Sequence, residues 1–138
     1  MKEHKIVVHR LDGTILKGIT HDFQPGAREF HLLPAAGGGI PQRVTLDEIK
    51  GVFFVRDWLG NREYDPPPGF GPAPARGRRA EVVFEDGEVV RGSTPDFDED
   101  APGFTLYPSD PADNNVRIYV SARAVRSISF MPAPEPVA

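Results

Sequence analysis

The densest run of possible metal ligands in the chain is Asp96-Phe97-Asp98-Glu99-Asp100. Carboxylates at alternating positions can converge on a hard cation such as calcium. A calcium loop that opens this way needs Gly at its sixth position and Glu at its twelfth, and those positions hold Ala101 and Tyr107. A solvated acidic loop is the better reading. His4, His9, His21 and His31 all fall in the first part of the chain, without a His-x-His or Glu-x-x-His pairing that would fix a coordination geometry. No metal is expected. Asp12 with Asp86, and Asp22 with Asp96, can be drawn as acid–base pairs. Each instead has the same Gly or Phe neighbour as its twin, which marks residues that shape turns. With no Ser-His-Asp set, phosphate-cradling loop or cysteine, neither a catalytic residue nor a cofactor is expected, and the chain is read as non-enzymatic.

Arg43 and Arg117 are stronger candidates. Both fall on strand-like segments at the same register, and Asn114-Asn115 stands just before the second. Guanidinium and amide groups so placed can hold a carboxylate, a phosphate or a backbone segment. The competing role is internal, each arginine tying a loop by pairing with an Asp of its own unit, such as Asp12 or Asp86. Trp58 and Tyr64, large apolar groups in a solvated stretch, complete the candidate partner-binding set of Arg43, Arg117, Asn114, Asn115, Trp58 and Tyr64.

The chain that must position these residues is one unit written twice. Asp12-Gly13-Thr14-Ile15-Leu16-Lys17-Gly18 returns as Asp86-Gly87-Glu88-Val89-Val90-Arg91-Gly92, an offset of 74 that also pairs Phe30 with Phe104, Leu32 with Leu106, Pro34 with Pro108 and Arg43 with Arg117. After a slip of two residues, Ile49-Lys50 matches Val125-Arg126 and Phe54 matches Phe130. In each copy β-branched and apolar runs alternate with Asp-Gly and Pro-rich turns, so short strands are expected. The first copy reads as strands at residues 6–11, 14–20, 29–33, 42–46 and 51–55. Gly18 and Gly92 mark a bend in each second strand. The Thr45-x-x-Glu48 spacing predicts one capped helical turn before the fifth. No longer helical period occurs.

Five short strands, a glycine-bent second strand and a helical turn before the fifth resemble the SH3-like and Sm-like small barrels. In the Sm pattern positions seven, five and three before the first-turn Gly are apolar. Here they hold Ile6, Val8 and Arg10 before Gly13, and Ala80, Val82 and Phe84 before Gly87. The resemblance implies an all-β chain of two tandem five-stranded barrels. The Asp-x-x-Asn that shapes the Sm uridine pocket has no match in residues 25–29 or 100–103, so an RNA pocket is not implied. A PilZ-type nucleotide clamp lacks both of its halves, since residue 80 is Ala and Asp96-Phe97-Asp98 has no Ser. A narrower resemblance lies in Gly103-Phe104-x-Leu106-x-Pro108-x-Asp110-Pro111 with Asn114-Asn115-x-Arg117, and in Phe54-Val55-Arg56-Asp57 followed by Gly60 and Tyr64. This looks like the signature of a bacterial protein family of unassigned function. It implies a bacterial cytoplasmic module and carries over no chemistry.

The expected division is a first barrel at 1–55, a Pro/Gly-rich connector at 56–78, a second barrel at 79–131 and a Pro/Ala tail at 132–138. Units of about 50 residues have little core of their own and lean on a neighbour. Connector aromatics Trp58, Tyr64 and Phe70 are therefore expected to pack across the two. Charge is divided unevenly: residues 1–55 are net +1, residues 56–79 net +2 and residues 80–138 net −7. That disfavours a polyanion track. With no cysteine, no signal-peptide pattern and no bilayer-length apolar run, a cytoplasmic location without membrane insertion is expected. A protein partner is expected and nucleic acid is not, homo-oligomer formation stays open, and Sm-like or PilZ-like nucleic-acid or nucleotide binding is the alternative function.

Overall fold

The computed structural model describes residues 4–35, 39–58 and 70–131. Asp-Gly turns cut the β-branched runs into strands, because the glycine must enter the left-handed region: Gly13 has φ of 93° and Gly87 of 94°. Beside each glycine the aspartate closes the turn in the same way. Asp12 Oδ1 accepts from the Thr14 backbone N–H at 2.9 Å, and Asp86 Oδ1 accepts from that of Glu88 at 3.0 Å. The first half supplies β1 (His4–Arg10), β2 (Ile15–Thr20), β3 (Glu29–Pro34), β4 (Gln42–Thr45) and β5 (Ile49–Val55). The second supplies β6 (Arg78–Phe84), β7 (Val89–Thr94), β8 (Gly103–Pro108), β9 (Asn115–Ser121) and β10 (Val125–Phe130). Single 3₁₀ turns, Leu46–Glu48 and Ala122–Ala124, precede the last strand of each half. The first turn forms where expected, but Thr45 makes no side-chain capping bond.

The same strand order, fifth-first-second-third-fourth, recurs in both halves of one antiparallel sheet: β10-β6-β7-β8-β9-β5-β1-β2-β3-β4. The duplication is thus real at the level of topology, and Phe30 and Phe104 are both buried. Gly18 and Gly92 are required by close approach: a Cβ would lie 2.1 Å from the Leu33 carbonyl oxygen and 2.2 Å from that of Tyr107. The sheet does not close into a barrel. Its ends are β4 and β10, and the halves join where β5 pairs with β9 over Gly51↔Val120 to Val55↔Asn115.

Each half wraps its own apolar cluster, and each cluster borrows from the other half. Tyr119 of β9 completes the first core of Ile6, Val8, Phe30, Leu32, Val44, Ile49, Val52 and Phe54. Val7, Phe53 and Val55 enter the second, among Val82, Phe84, Phe104, Leu106, Ile118 and Val120. Every residue of β5 is consequently buried, and the alternation expected of a strand with one wet face is lost there.

Candidate binding groove at the joint between the halves

Joining β5 to β9 creates a concave surface that neither half has alone. The register slips between Phe54, opposite Arg117, and Val55, opposite Asn115. The residue left over is Val116, which stands 48% exposed. A bulge of this kind turns one side chain out of the ladder. Around it opens a groove of about 490 Å³ lined by Phe54, Val55, Val116 and Arg117, with His4 and Lys5 from β1, Tyr107 from β8, and Arg76 from the segment leading into β6.

Its electrostatics are one-sided. The Arg117 guanidinium lies 4.2 Å from the Phe54 ring centroid, Arg76 lies 4.6 Å from that of Tyr107, and the Lys5 ammonium 5.1 Å from that of Trp58. Among the described residues no carboxylate forms an ion pair with any of the three. A guanidinium held over a ring still carries N–H groups that can meet an oxyanion two bonds at a time.

Of the described residues in the candidate partner-binding set, only Arg117 lines this groove. Arg43, matched to it in the sequence, is on the outer strand β4, largely exposed, 3.6 Å from Glu29; the strand registers correct that match, since Arg43 lies opposite His31 as Tyr119 lies opposite Thr105. Neither arginine therefore pairs with Asp12 or Asp86. Asn114 is a loop tie: its Oδ1 accepts from the Asp57 N–H at 3.1 Å and its Nδ2 donates to the Asp57 carbonyl at 2.9 Å. Asn115 continues that loop, its N–H donating to Asp113 Oδ1. Burial pushes the Asp113 carboxyl up, against the pull of that bond. Trp58 donates from Nε1 to the Gly18 carbonyl at 3.0 Å and packs on the second core, so it touches both halves. Tyr64 lies outside the described residues. The connector's far end is strapped to the second half, Gly71 N–H donating to Ser109 Oγ and Arg76 N–H to Ser93 Oγ.

Asp22 and Asp96 prove to be twin staples. Each accepts from the hydroxyl of the threonine two residues earlier, Thr20 or Thr94, and from a backbone N–H of the third strand, His31 or Thr105. Burial raises the Asp22 pKa, and the His31 and Thr20 bonds outweigh it, leaving it lowered. No group of three or more metal-ligating side chains occurs among the described residues.

At the other end of the joint, Lys50 of β5 is nearly buried and reaches into the β6–β7 turn. Its Nζ donates to Asp86 Oδ2 at 2.7 Å and to Glu88 Oε1 at 2.5 Å, 4.5 Å above the Phe84 ring. Burial alone depresses the Lys50 pKa, but the two carboxylates outweigh it and the net shift is upward. The same bond holds Asp86 low. His9 beside them is pushed down, first by burial and then by the Lys50 charge. The sequence carried no signal for Lys50, Lys5, Arg76, Tyr107 or Val116 as a set, because pairing of β5 with β9 is what assembles them.

No helix among the described residues is long and apolar enough to cross a membrane. No curated protein and no solved structure matches the chain. A family model does match, over residues 2–132, nearly the whole length on which strands, joint and groove are built. The chain belongs to the family of unknown function DUF6982.

Proposed function

We propose that the chain is a non-enzymatic protein-interaction module of the bacterial cytoplasm, and that its partner docks in the groove at the β5–β9 joint. Two SH3/Sm-like units, residues 1–55 and 79–131, share one sheet in this reading, and the connector sets their orientation. The supporting observation is the set of three cations, Lys5, Arg76 and Arg117, each on an aromatic ring and without a carboxylate partner among the described residues. Cations held so, beside an exposed Val116, suit a ligand brought from outside. The nucleic-acid alternative fits less well, since the second half carries net −7 and a nucleic-acid backbone is held by extended positive charge.

The test is photo-crosslinking in cells of the host organism, with benzoylphenylalanine in place of Val116. One dominant protein adduct, lost when Arg76→Glu is added, is the expected result. Adducts that disappear on ribonuclease treatment, or none above those of a label placed at exposed Ile40, would remove the protein-docking reading.

A further inference from the structure

Given protein docking at this groove, on which this step rests, we infer that the occupant is an extended acidic segment of the partner, its carboxylates read by the guanidinium forks of Arg76 and Arg117. Three observations carry this. First, among the described residues the lining offers Lys5, Arg76 and Arg117 and no acidic residue, so the groove's charge calls for anionic groups. Second, the aromatic faces are already in use. Arg76 covers Tyr107 and Arg117 covers Phe54, and Phe54 also packs in T-shaped contacts with His4 and Phe23 at 5.5 and 5.2 Å between centroids. A nucleobase needs a bare ring to stack on and would have to displace a cation to obtain one. A carboxylate needs guanidinium N–H groups, and neither Arg76 nor Arg117 has an ion-pair partner among the described residues.

Third, the lining is apolar as well as charged. Val116, turned out by the bulge, and Val55 share the lining with the cations. A segment with one apolar side chain flanked by carboxylates satisfies both. Stacking also restrains each guanidinium before the ligand arrives, so less side-chain freedom is lost on binding.

Isotope-labelled full-length protein titrated with the end-blocked peptide Glu-Asp-Glu-Leu-Glu-Asp-Glu tests the inference. Saturable amide shifts should concentrate on Tyr107, Val116 and Arg117. The same peptide with every carboxylate replaced by its amide should bind about tenfold more weakly. Arg76→Lys, which keeps the charge and loses the fork, should weaken binding roughly threefold, and Arg76→Glu should abolish it. Arg76 side-chain changes leave its backbone bond to Ser93 in place, and the unshifted amides of each variant report that it is folded. Equal binding of the amide peptide, no loss with Arg76→Lys, or tighter binding of adenosine monophosphate at the same amides would each overturn the acidic-segment assignment. So would concentration-dependent dimerisation abolished by Arg76→Glu, which would give the groove to the chain's own acidic loop at residues 96–100. Absence of shifts with every probe overturns it too, while a crosslinked protein partner at position 116 would leave the docking reading standing.

Discussion

The β5–β9 joint and the two outer edges of the sheet are built from the same kinds of strand, and only the joint is closed. At the joint, Val7 and Phe53 face each other across β1 and β5 and are 8% and 5% exposed, inside the second core. In the second half the equivalent pair is Glu81 opposite Ser129, across β6 and β10. Glu81 holds Arg91 at 2.9 Å, and Ser129 is exposed. Likewise Tyr119, which caps the first core from β9 opposite Thr105, is replaced on β4 by the largely exposed Arg43 opposite His31. A duplicated unit presents the same backbone edge at both ends; the side chains beside that edge decide which end pairs. Polar replacement at an open edge is a known defence against unwanted strand pairing.

The largest expected effect comes from giving the joint the outer edge's residue. Phe53→Ser should lower unfolding free energy by about 3–5 kcal/mol, the scale of emptying a buried aromatic site. Ser129→Ala, at the equivalent exposed place, should stay within about 0.5 kcal/mol. Urea denaturation of both variants makes the comparison, and equal small losses would mean that apolar burial does not hold the joint.

Trp58→Ala comes next. Trp58 reaches the Gly18 carbonyl in the first half while packing on the core of the second. Its removal should cost about 1–3 kcal/mol and enlarge the radius seen in small-angle scattering. An unchanged radius with an unchanged melt would reduce the residue to surface decoration.

Lys50→Met should cost about 1 kcal/mol, less than a fully buried pair, because Asp86 and Glu88 are 55% and 46% exposed and water can take over their solvation. The pH dependence has a definite sign. The Asp86 pKa is depressed on folding, so its contribution is complete above the ordinary carboxylate pKa of about 4 and fades as pH falls through the folded value. The Lys50 pKa is raised, so its share is complete below about 10.4 and fades as pH climbs through the folded value. The lowered His9 pKa adds a loss of stability as pH falls from about 6.5 towards the folded value. In the Lys50→Met variant the alkaline component should vanish, which melting curves across pH would show.

The smallest effect on folding, and the sharpest test of the comparison, is to give the outer edge the joint's residues. Glu81→Val with Ser129→Phe should change stability by no more than about 1 kcal/mol. It should make β10 of one molecule pair with β4 of the next, seen as concentration-dependent mass in sedimentation. A double variant that stays monomeric would show that something other than edge polarity keeps the ends apart.

How much of this was legible in the residues depends on how far each interaction reaches. Asp12-Gly13 and Asp86-Gly87 declared their turns because the closing bond spans two residues and the glycine conformation is local. Gly18 and Gly92, placed alike in both copies, stand where the neighbouring strand leaves no room for a Cβ, and the repeat itself carried the strand order into both halves. The fate of Arg43 and Arg117 was not legible. The sequence match between them fails because the two-residue slip falls before β4: Arg43 pairs with His31 where Tyr119 pairs with Thr105, and Arg117 meets Phe54 across the joint. The same holds for Lys50, for the exchange of Val7, Phe53 and Tyr119 between cores, and for the groove of Lys5, Arg76, Tyr107 and Val116. Turn chemistry is settled within a few residues of chain. Which strand lies beside β5 is settled by burial summed over side chains far apart in sequence, and only the folded sheet performs that sum.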